Sequence, residues 1–331
     1  MLNSAPASGT RHPKGTAPPL ALVAADLAEV DRLYDDALLP FRARFGPIVQ
    51  HLKHYRGKRL RPALVLLAGH ACGPVTRAHH VLGAVVEMVH TATLVHDDVL
   101  DEADTRRHLP TVNAAWGSKT SLLLGDMLFS AAFRLCSTVD ARACEWVGDA
   151  TNRVCAGELL QVSRAGDLGL TADDYFEIVA GKTGALTECC ARLGAHYAGA
   201  AAPVVERLAD YGRNLGVAFQ IADDVLDLGG DALIAGKTLG TDVEQQKLTL
   251  PLIRALADLP ADEADRLRRA FQAGAVAEVA DALAAAGTVA AAEAEARRIA
   301  AAARRALAVL PASPYRAALE HIADWAVHRD R

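Results

Sequence analysis

The chain has 331 residues, with 35 Lys+Arg against 40 Asp+Glu and a formal charge of −5. At 51% apolar residues it can fill a sizeable core, which excludes disorder over the whole length. A mildly acidic total with no basic block gives no footprint for nucleic acid, so no nucleic-acid partner is expected.

Taken in chain order, residues 1–18 are rich in Pro, Gly, Ser and Ala and lack the apolar stretch of a signal peptide. They are read as a disordered N-terminal tail, with 19–331 as one domain. From there, apolar residues recur at helical spacing and alternating Val/Ile/Thr runs are scarce. The pattern predicts an all-α chain. Breaks are expected at Gly57, Cys72-Gly73-Pro74, Leu109-Pro110, Gly166 to Gly169, Ala201-Ala202-Pro203, Gly229 to Gly240, Pro260 and Pro311. Long helices between such breaks pack as a single large bundle. The alanine-rich stretch from Ala261 to Leu310, interleaved with Glu, Asp and Arg, reads as a solvated helical flank. Charge interrupts every apolar run before the roughly 20 residues of a bilayer span. Six cysteines without C-x-x-C spacing read as reduced, mostly buried thiols of a cytoplasmic protein.

One pentapeptide occurs twice: Asp97-Asp98-Val99-Leu100-Asp101 and Asp223-Asp224-Val225-Leu226-Asp227. Each is D-D-x-x-D within an otherwise apolar helical stretch. At about 100° per residue, the first and last aspartates of a set share one face a turn apart. No Lys or Arg stands three or four residues from any of the six, so nothing on the same helix offsets their repulsion. Hard divalent cations do so, and Mg²⁺ combines one or two carboxylates with substrate phosphates. His96 is assigned to packing, because oxygen-ligated Mg²⁺ seldom recruits imidazole.

If phosphate is the co-ligand, cations must lie nearby. Candidates are the basic turn Gly57-Lys58-Arg59-Leu60-Arg61-Pro62, the pair Arg106 and Arg107, Lys182-Thr183-Gly184 where a long helix is interrupted, and Gly236-Lys237 with Lys247. Arginine offers a planar fork to phosphate oxygens, and lysine a mobile point charge. Only seven of the 35 basic residues are lysines, and Lys58, Lys182, Lys237 and Lys247 are four of them.

These residues resemble the trans-isoprenyl diphosphate synthases, the polyprenyl synthase family. The block from His90-Thr91-Ala92-Thr93 through Asp97 to Arg107 is similar to that family's first aspartate-rich motif, and Phe219-Gln220-Ile221-Ala222 with Asp223 to Asp227 to its second. The basic turn, Gly157-Glu158 with Gln161, Lys182-Thr183 and Lys247-Leu248-Thr249-Leu250-Pro251 follow in the family's order. The resemblance implies an isoprenoid-synthase fold: long helices around a central cavity, in a homodimer. It implies Mg²⁺, three ions per active site, with Asp97 and Asp101 holding it from one side and Asp223 from the other, and with Asp98, Asp224 and Asp227 in support. Arg106, Lys182, Thr183, Lys237 and Gln220 would meet an allylic substrate (geranyl, farnesyl or geranylgeranyl diphosphate). Lys58, Arg61, His90 and Arg107 would bind isopentenyl diphosphate, and Lys247 would face diphosphate.

The implied reaction follows from charge. The allylic C–O bond breaks, the isopentenyl double bond attacks the cation, and a proton leaves to the departed diphosphate. Water must be excluded from the cation. Short-product relatives carry a bulky aromatic below the first aspartates, whereas Ala92 and Thr93 are small. A long all-trans product of roughly C30 to C50, handed to a membrane, is therefore expected on the family's tunnel logic. Three loop positions depart from the family: His108 and Gln246 replace glycines, and Arg56 replaces the first of two glycines before Lys58. A class I terpene cyclase would carry N/D-x-x-S/T-x-x-x-E in place of the second D-D-x-x-D and would lack Lys58 and Arg61. A silent regulatory subunit would have lost aspartates from one cluster.

Overall fold

The computed structural model describes residues 20–229 and 240–328, so the tail expected at 1–18 and the candidate Lys237 lie outside the described residues. Each expected break falls at or between helix ends, and further breaks at Gly117, 137–140, 273–275 and 286–287 were not foreseen. After α1 (Ala24–His51) come α2 (Leu60–Cys72) and α3 (Arg77–Leu100), then an antiparallel pair of two-residue strands, β1 (Thr105–Arg106) and β2 (Leu109–Pro110). Next follow α4 (Val112–Trp116), α5 (Ser118–Cys136), α6 (Ala141–Ser163) and α7 (Ala172–Val179). A π turn at Ala180–Gly184 leads into α8 (Ala185–Tyr197) and α9 (Ala202–Gly229). The chain resumes with α10 (Thr241–Glu244), α11 (Leu250–Asp258), α12 (Ala261–Gln272), α13 (Val276–Ala285), α14 (Thr288–Ala306) and α15 (Pro314–Ala326).

Local chemistry sets several of these ends. Thr111, Asp140 and Ser313 accept from the backbone N–H groups of Ala114, Ala143 and Arg316, and Thr171 and Asp174 form a capping box on α7. Each such cap satisfies a donor that the first helical turn leaves unpaired. The hairpin at 105–110 was not foreseen, because two-residue strands leave no periodic signal.

Two apolar clusters form the interior. The first joins α1, α2, α3, α5, α6, α8, α15 and the C-terminal end of α14. The second joins α7 and α11 to α14. Helix α9 belongs to both: Leu208, Tyr211 and Leu215 lie in the first, and Ile221, Val225 and Leu228 in the second. Small residues bring its neighbours close. A Cβ at Gly212 would meet Glu188 Cα of α8 at 2.8 Å. Residues 261–310 are more than the solvated flank expected of them. Ala292, Ala296, Ile299, Ala300 and Ala303 of α14 are buried, and α14 packs along α9. Alanine at helical spacing permits this approach, a role that composition alone does not reveal. Of the six cysteines, Cys136, Cys189 and Cys190 are buried, Cys72 and Cys144 half-buried, and Cys155 exposed. Among the described residues, no helix is long and apolar enough to cross a membrane.

Candidate active site

The first aspartate cluster closes α3. Asp98 is buried and accepts from Tyr55 Oη at 2.5 Å and from Arg106, whose Nε and Nη2 lie 2.9 and 2.8 Å from Oδ1. The hairpin carries Arg106 back over the helix end, so a partner eight residues away replaces the i±4 partner the helix lacks. Asp101 is the C-cap of α3, at φ −87° and ψ 0°. Its carboxylate pairs with Lys247 Nζ at 2.9 Å, and its backbone carbonyl accepts from Gln245 Nε2 at 3.1 Å. Asp97 makes no side-chain hydrogen bond among the described residues. Burial, with Glu158 and Asp101 nearby, pushes its carboxyl up to about 7 despite Lys182 and Arg106.

The second cluster lies inside α9. Asp224 is buried and accepts from Tyr175 Oη at 2.6 Å and Gln220 Nε2 at 2.8 Å. Gln220 Oε1 in turn accepts from Thr183 Oγ1 at 2.7 Å, which links the π turn to the cluster. Asp227 is fully buried and accepts from Thr241 Oγ1 at 2.9 Å and the Asp242 backbone N–H at 3.0 Å. Asp223 is half-buried. The segment 240–247 thus ties both clusters together, holding Asp227 at one end and Asp101 at the other.

Five of the predicted cations, Lys182, Lys247, Arg61, Arg106 and Arg107, gather here. Lys182 Nζ lies 2.6 Å from Glu158 and 2.8 Å from Gln161 Oε1. Burial alone would lower its pKa, but Glu158 and Asp97 outweigh that and leave it raised. The π turn that presents Lys182 requires a close approach: a Cβ at Gly157 of α6 would stand 2.5 Å from the Lys182 backbone nitrogen. Single π turns of this kind favour functional sites. Arg61 Nη1 donates to His90 Nε2 at 2.9 Å, because a guanidinium cannot accept, and this places the imidazole proton on Nδ1. Burial and the charges of Arg61, Arg106 and Arg107 hold His90 well below its ordinary range, so it is neutral at pH 7. Arg61 Nε is buried with no hydrogen-bond partner. Lys58 is exposed, with its ammonium 4.8 Å from the centre of the Trp325 ring. Exposed Arg107 lies beside Gly57. His96 packs against α5, with Nε2 3.0 Å from the Leu122 carbonyl.

Ala92 carries no accessible surface and lies in the packed core, whereas Thr93 is partly exposed. The reason is angular, since Thr93 shares the face of Asp97 and Ala92 does not. The departures at His108 and Gln246 fall on left-handed backbone, at φ 64° and 56°. That explains the glycines of the family pattern, and Gln246 offsets its strain by donating to the Phe271 carbonyl at 2.8 Å. Arg56 has no such conformation. The residues missed from sequence are Tyr55, Tyr175, Thr241 and Gln245, which lie outside both motifs and carry no periodic mark. A cavity of about 210 Å³ between α9 and α14, bordered by Val225, Leu226 and Arg297, holds none of the six aspartates.

The donor set suits a hard cation. Asp98, Asp224 and Asp227 are occupied by internal donors, whereas Asp97, Asp101 and Asp223 are partly exposed. Among the described residues no three acidic, imidazole or thiol side chains converge on one point, so a cation here needs oxygen from another source. Mg²⁺ bound through one or two carboxylates and substrate phosphate fits that requirement.

Comparison with known proteins agrees. The polyprenyl synthetase family model matches residues 43–286, and the chain belongs to that family. It is 38% identical over 280 residues to the octaprenyl diphosphate synthase of Escherichia coli, covering 83% of this chain and 87% of that one. It is also 38% identical over 316 residues to the nonaprenyl diphosphate synthase of Mycobacterium tuberculosis, covering 93% and 94%. The crystal structure of a Caulobacter crescentus polyprenyl synthase, complexed with calcium and isoprenyl diphosphate, superposes with a TM-score of 0.88 at 38% identity, covering 94% and 96%. Other relatives are described as short-chain or geranylgeranyl synthases. The fold is the isoprenoid-synthase fold, and the chain is a trans-polyprenyl diphosphate synthase that condenses isopentenyl diphosphate with an allylic diphosphate. Membership implies a Mg²⁺-dependent reaction.

Proposed function

We propose that this enzyme makes a long all-trans polyprenyl diphosphate of roughly C30 to C50, with residues 19–331 acting as one domain. The observation that carries the site assignment is the pairing of Lys247 with Asp101 and of Lys182 with Glu158 beside Asp97. Ammonium groups already stand on the carboxylates where a metal-bound diphosphate would arrive. Asp97, Asp101 and Asp223 would hold Mg²⁺, three ions per site. Bound Mg²⁺ would supply Lewis-acid stabilisation of the charge that develops on the leaving diphosphate.

The chain's own residues do the rest. Lys182, Lys247 and Arg106 face the allylic diphosphate, with Lys237 assigned on its sequence motif alone. Asp98 and Gln220, already bonded to Arg106 and Thr183, keep those donors oriented. Arg61 Nε, Lys58, Arg107 and neutral His90 through Nδ1–H bind isopentenyl diphosphate. The departing diphosphate takes the proton, so no side chain serves as the base. Thr93, small and on the face of Asp97, leaves room for the growing tail, and the octaprenyl and nonaprenyl names of two relatives support that length. The enzyme acts as a cytoplasmic homodimer that hands its product to a membrane.

The test is incubation with Mg²⁺, labelled isopentenyl diphosphate and geranyl, farnesyl or geranylgeranyl diphosphate, with products read by mass spectrometry. Elongation to C30 or beyond is expected, and Thr93→Phe shortens the product. A C15 or C20 end-point overturns the length assignment. A cyclic hydrocarbon or no product overturns the synthase reading.

A further inference from the structure

The two copies of Asp-Asp-Val-Leu-Asp sit on different helices in different cores, yet the second aspartate of each is held in the same way. Tyr55 donates to Asp98 Oδ2 and Tyr175 to Asp224 Oδ2, at 2.5 and 2.6 Å, both buried. In each case a second side chain takes the other oxygen: Arg106 on Asp98 Oδ1 and Gln220 on Asp224 Oδ1. Each carboxylate thus has both oxygens engaged by protein donors. The tyrosines come from unrelated places, Tyr55 from the turn before α2 and Tyr175 from α7.

We propose that Tyr55 and Tyr175 are positioning residues that set the azimuth of the metal-binding aspartates by anchoring the carboxylate beside them. The argument is geometric. At about 100° per residue, fixing one side chain inward places its predecessor about 100° and its third successor about 60° to the same side. Anchoring Asp98 therefore aims Asp97 and Asp101 together, and anchoring Asp224 aims Asp223. Without the phenol, a buried carboxylate lacks a donor and turns to the nearest cation, competing with the site it had served.

This inference rests on the assignment of Asp97, Asp101 and Asp223 as metal ligands, and the experiment separates the two. Mn²⁺ binding is titrated calorimetrically in the presence of inorganic diphosphate, alongside Tm, for wild type, Tyr175→Phe, Tyr55→Phe and Tyr211→Phe. Tyr211 is the control: it also loses a buried phenol bond, to the Leu319 carbonyl at 2.8 Å, but stands outside the site. Tyr175→Phe and Tyr55→Phe act one residue removed from the ligands and should weaken Mn²⁺ about tenfold, the low end of the range for direct partners of metal ligands, while Tyr211→Phe lowers Tm alone. Tyr175→Phe is the cleaner variant, because Tyr55 Oη also accepts from the buried Val112 N–H. Should one variant not fold, the other tests the same claim on its own copy. Mn²⁺ binding by folded variants within about twofold of wild type overturns the proposal. If wild type itself binds no Mn²⁺ with diphosphate, the ligand assignment falls, and this inference with it.

Discussion

Asp-Asp-Val-Leu-Asp at 97–101 and at 223–227 is the same pentapeptide, but its last residue has opposite surroundings. Asp101 stands at the end of α3, 31% exposed and paired with an ammonium. Asp227 lies inside α9, has no exposure and is spent on the cap of a neighbouring segment. One copy therefore offers two carboxylates to the site, Asp97 and Asp101, and the other only Asp223. The difference arises because α3 stops at Leu100 whereas α9 runs on to Gly229. Identical side chains thus divide between ligand and structural anchor according to where the helix ends.

Substitution at the ligand positions should have the largest effect. Asp97→Ala and Asp223→Ala should each lower kcat by about 10²–10³-fold, the scale of one lost electrostatic stabiliser of a leaving anion, measured by steady-state turnover at saturating Mg²⁺. An equal loss in Asp227→Ala would erase the distinction between the copies. That variant should instead show in denaturant unfolding, losing about 1 kcal/mol for each half-buried donor left without its partner, Thr241 Oγ1 and the Asp242 N–H. Asp101→Ala breaks a partly exposed pair and should cost under about 1 kcal/mol of stability while raising the Mg²⁺ concentration needed for half-maximal rate.

The first copy should also respond to acid. Because Asp97 is held at about 7, between roughly pH 4 and 7 the folded metal-free chain keeps a proton that the unfolded chain has lost. This group's contribution to stability therefore declines as pH rises through that window. Divalent binding must displace that proton, so Mn²⁺ affinity should fall about tenfold per unit below pH 7, and Asp97→Asn should flatten the profile. Calorimetric titration between pH 6 and 8 checks it. The smallest effect concerns the turn after the first copy. His108→Gly relieves a left-handed backbone and should raise Tm by about 1–2 °C, read by differential scanning calorimetry.

Much of the site was legible before any coordinates. Lys182, Gln220, Lys247, Arg61 and His90 stand in motifs whose spacing marks them; Gln220 and Lys247 meet the aspartates, Arg61 meets His90, and Lys182 pairs with Glu158 beside Asp97. Tyr175 was not legible, because a tyrosine on an amphipathic helix looks like core until its hydroxyl is seen to reach Asp224. The burial of Ala92 was not legible either, because helix position does not say which neighbours close over a residue.

By itself the sequence determined the all-α class, many of the helix ends, the two acidic pentapeptides and the lysines that serve them. These follow from periodicity, capping and charge, which act over a turn or two of chain. Tertiary structure alone decided which aspartates are available. The donors that consume Asp98, Asp224 and Asp227 come from Tyr55, Tyr175 and the segment at Thr241, up to 49 residues away. A carboxylate's role depends on what else can reach its oxygens, and only packing brings those groups within hydrogen-bonding distance.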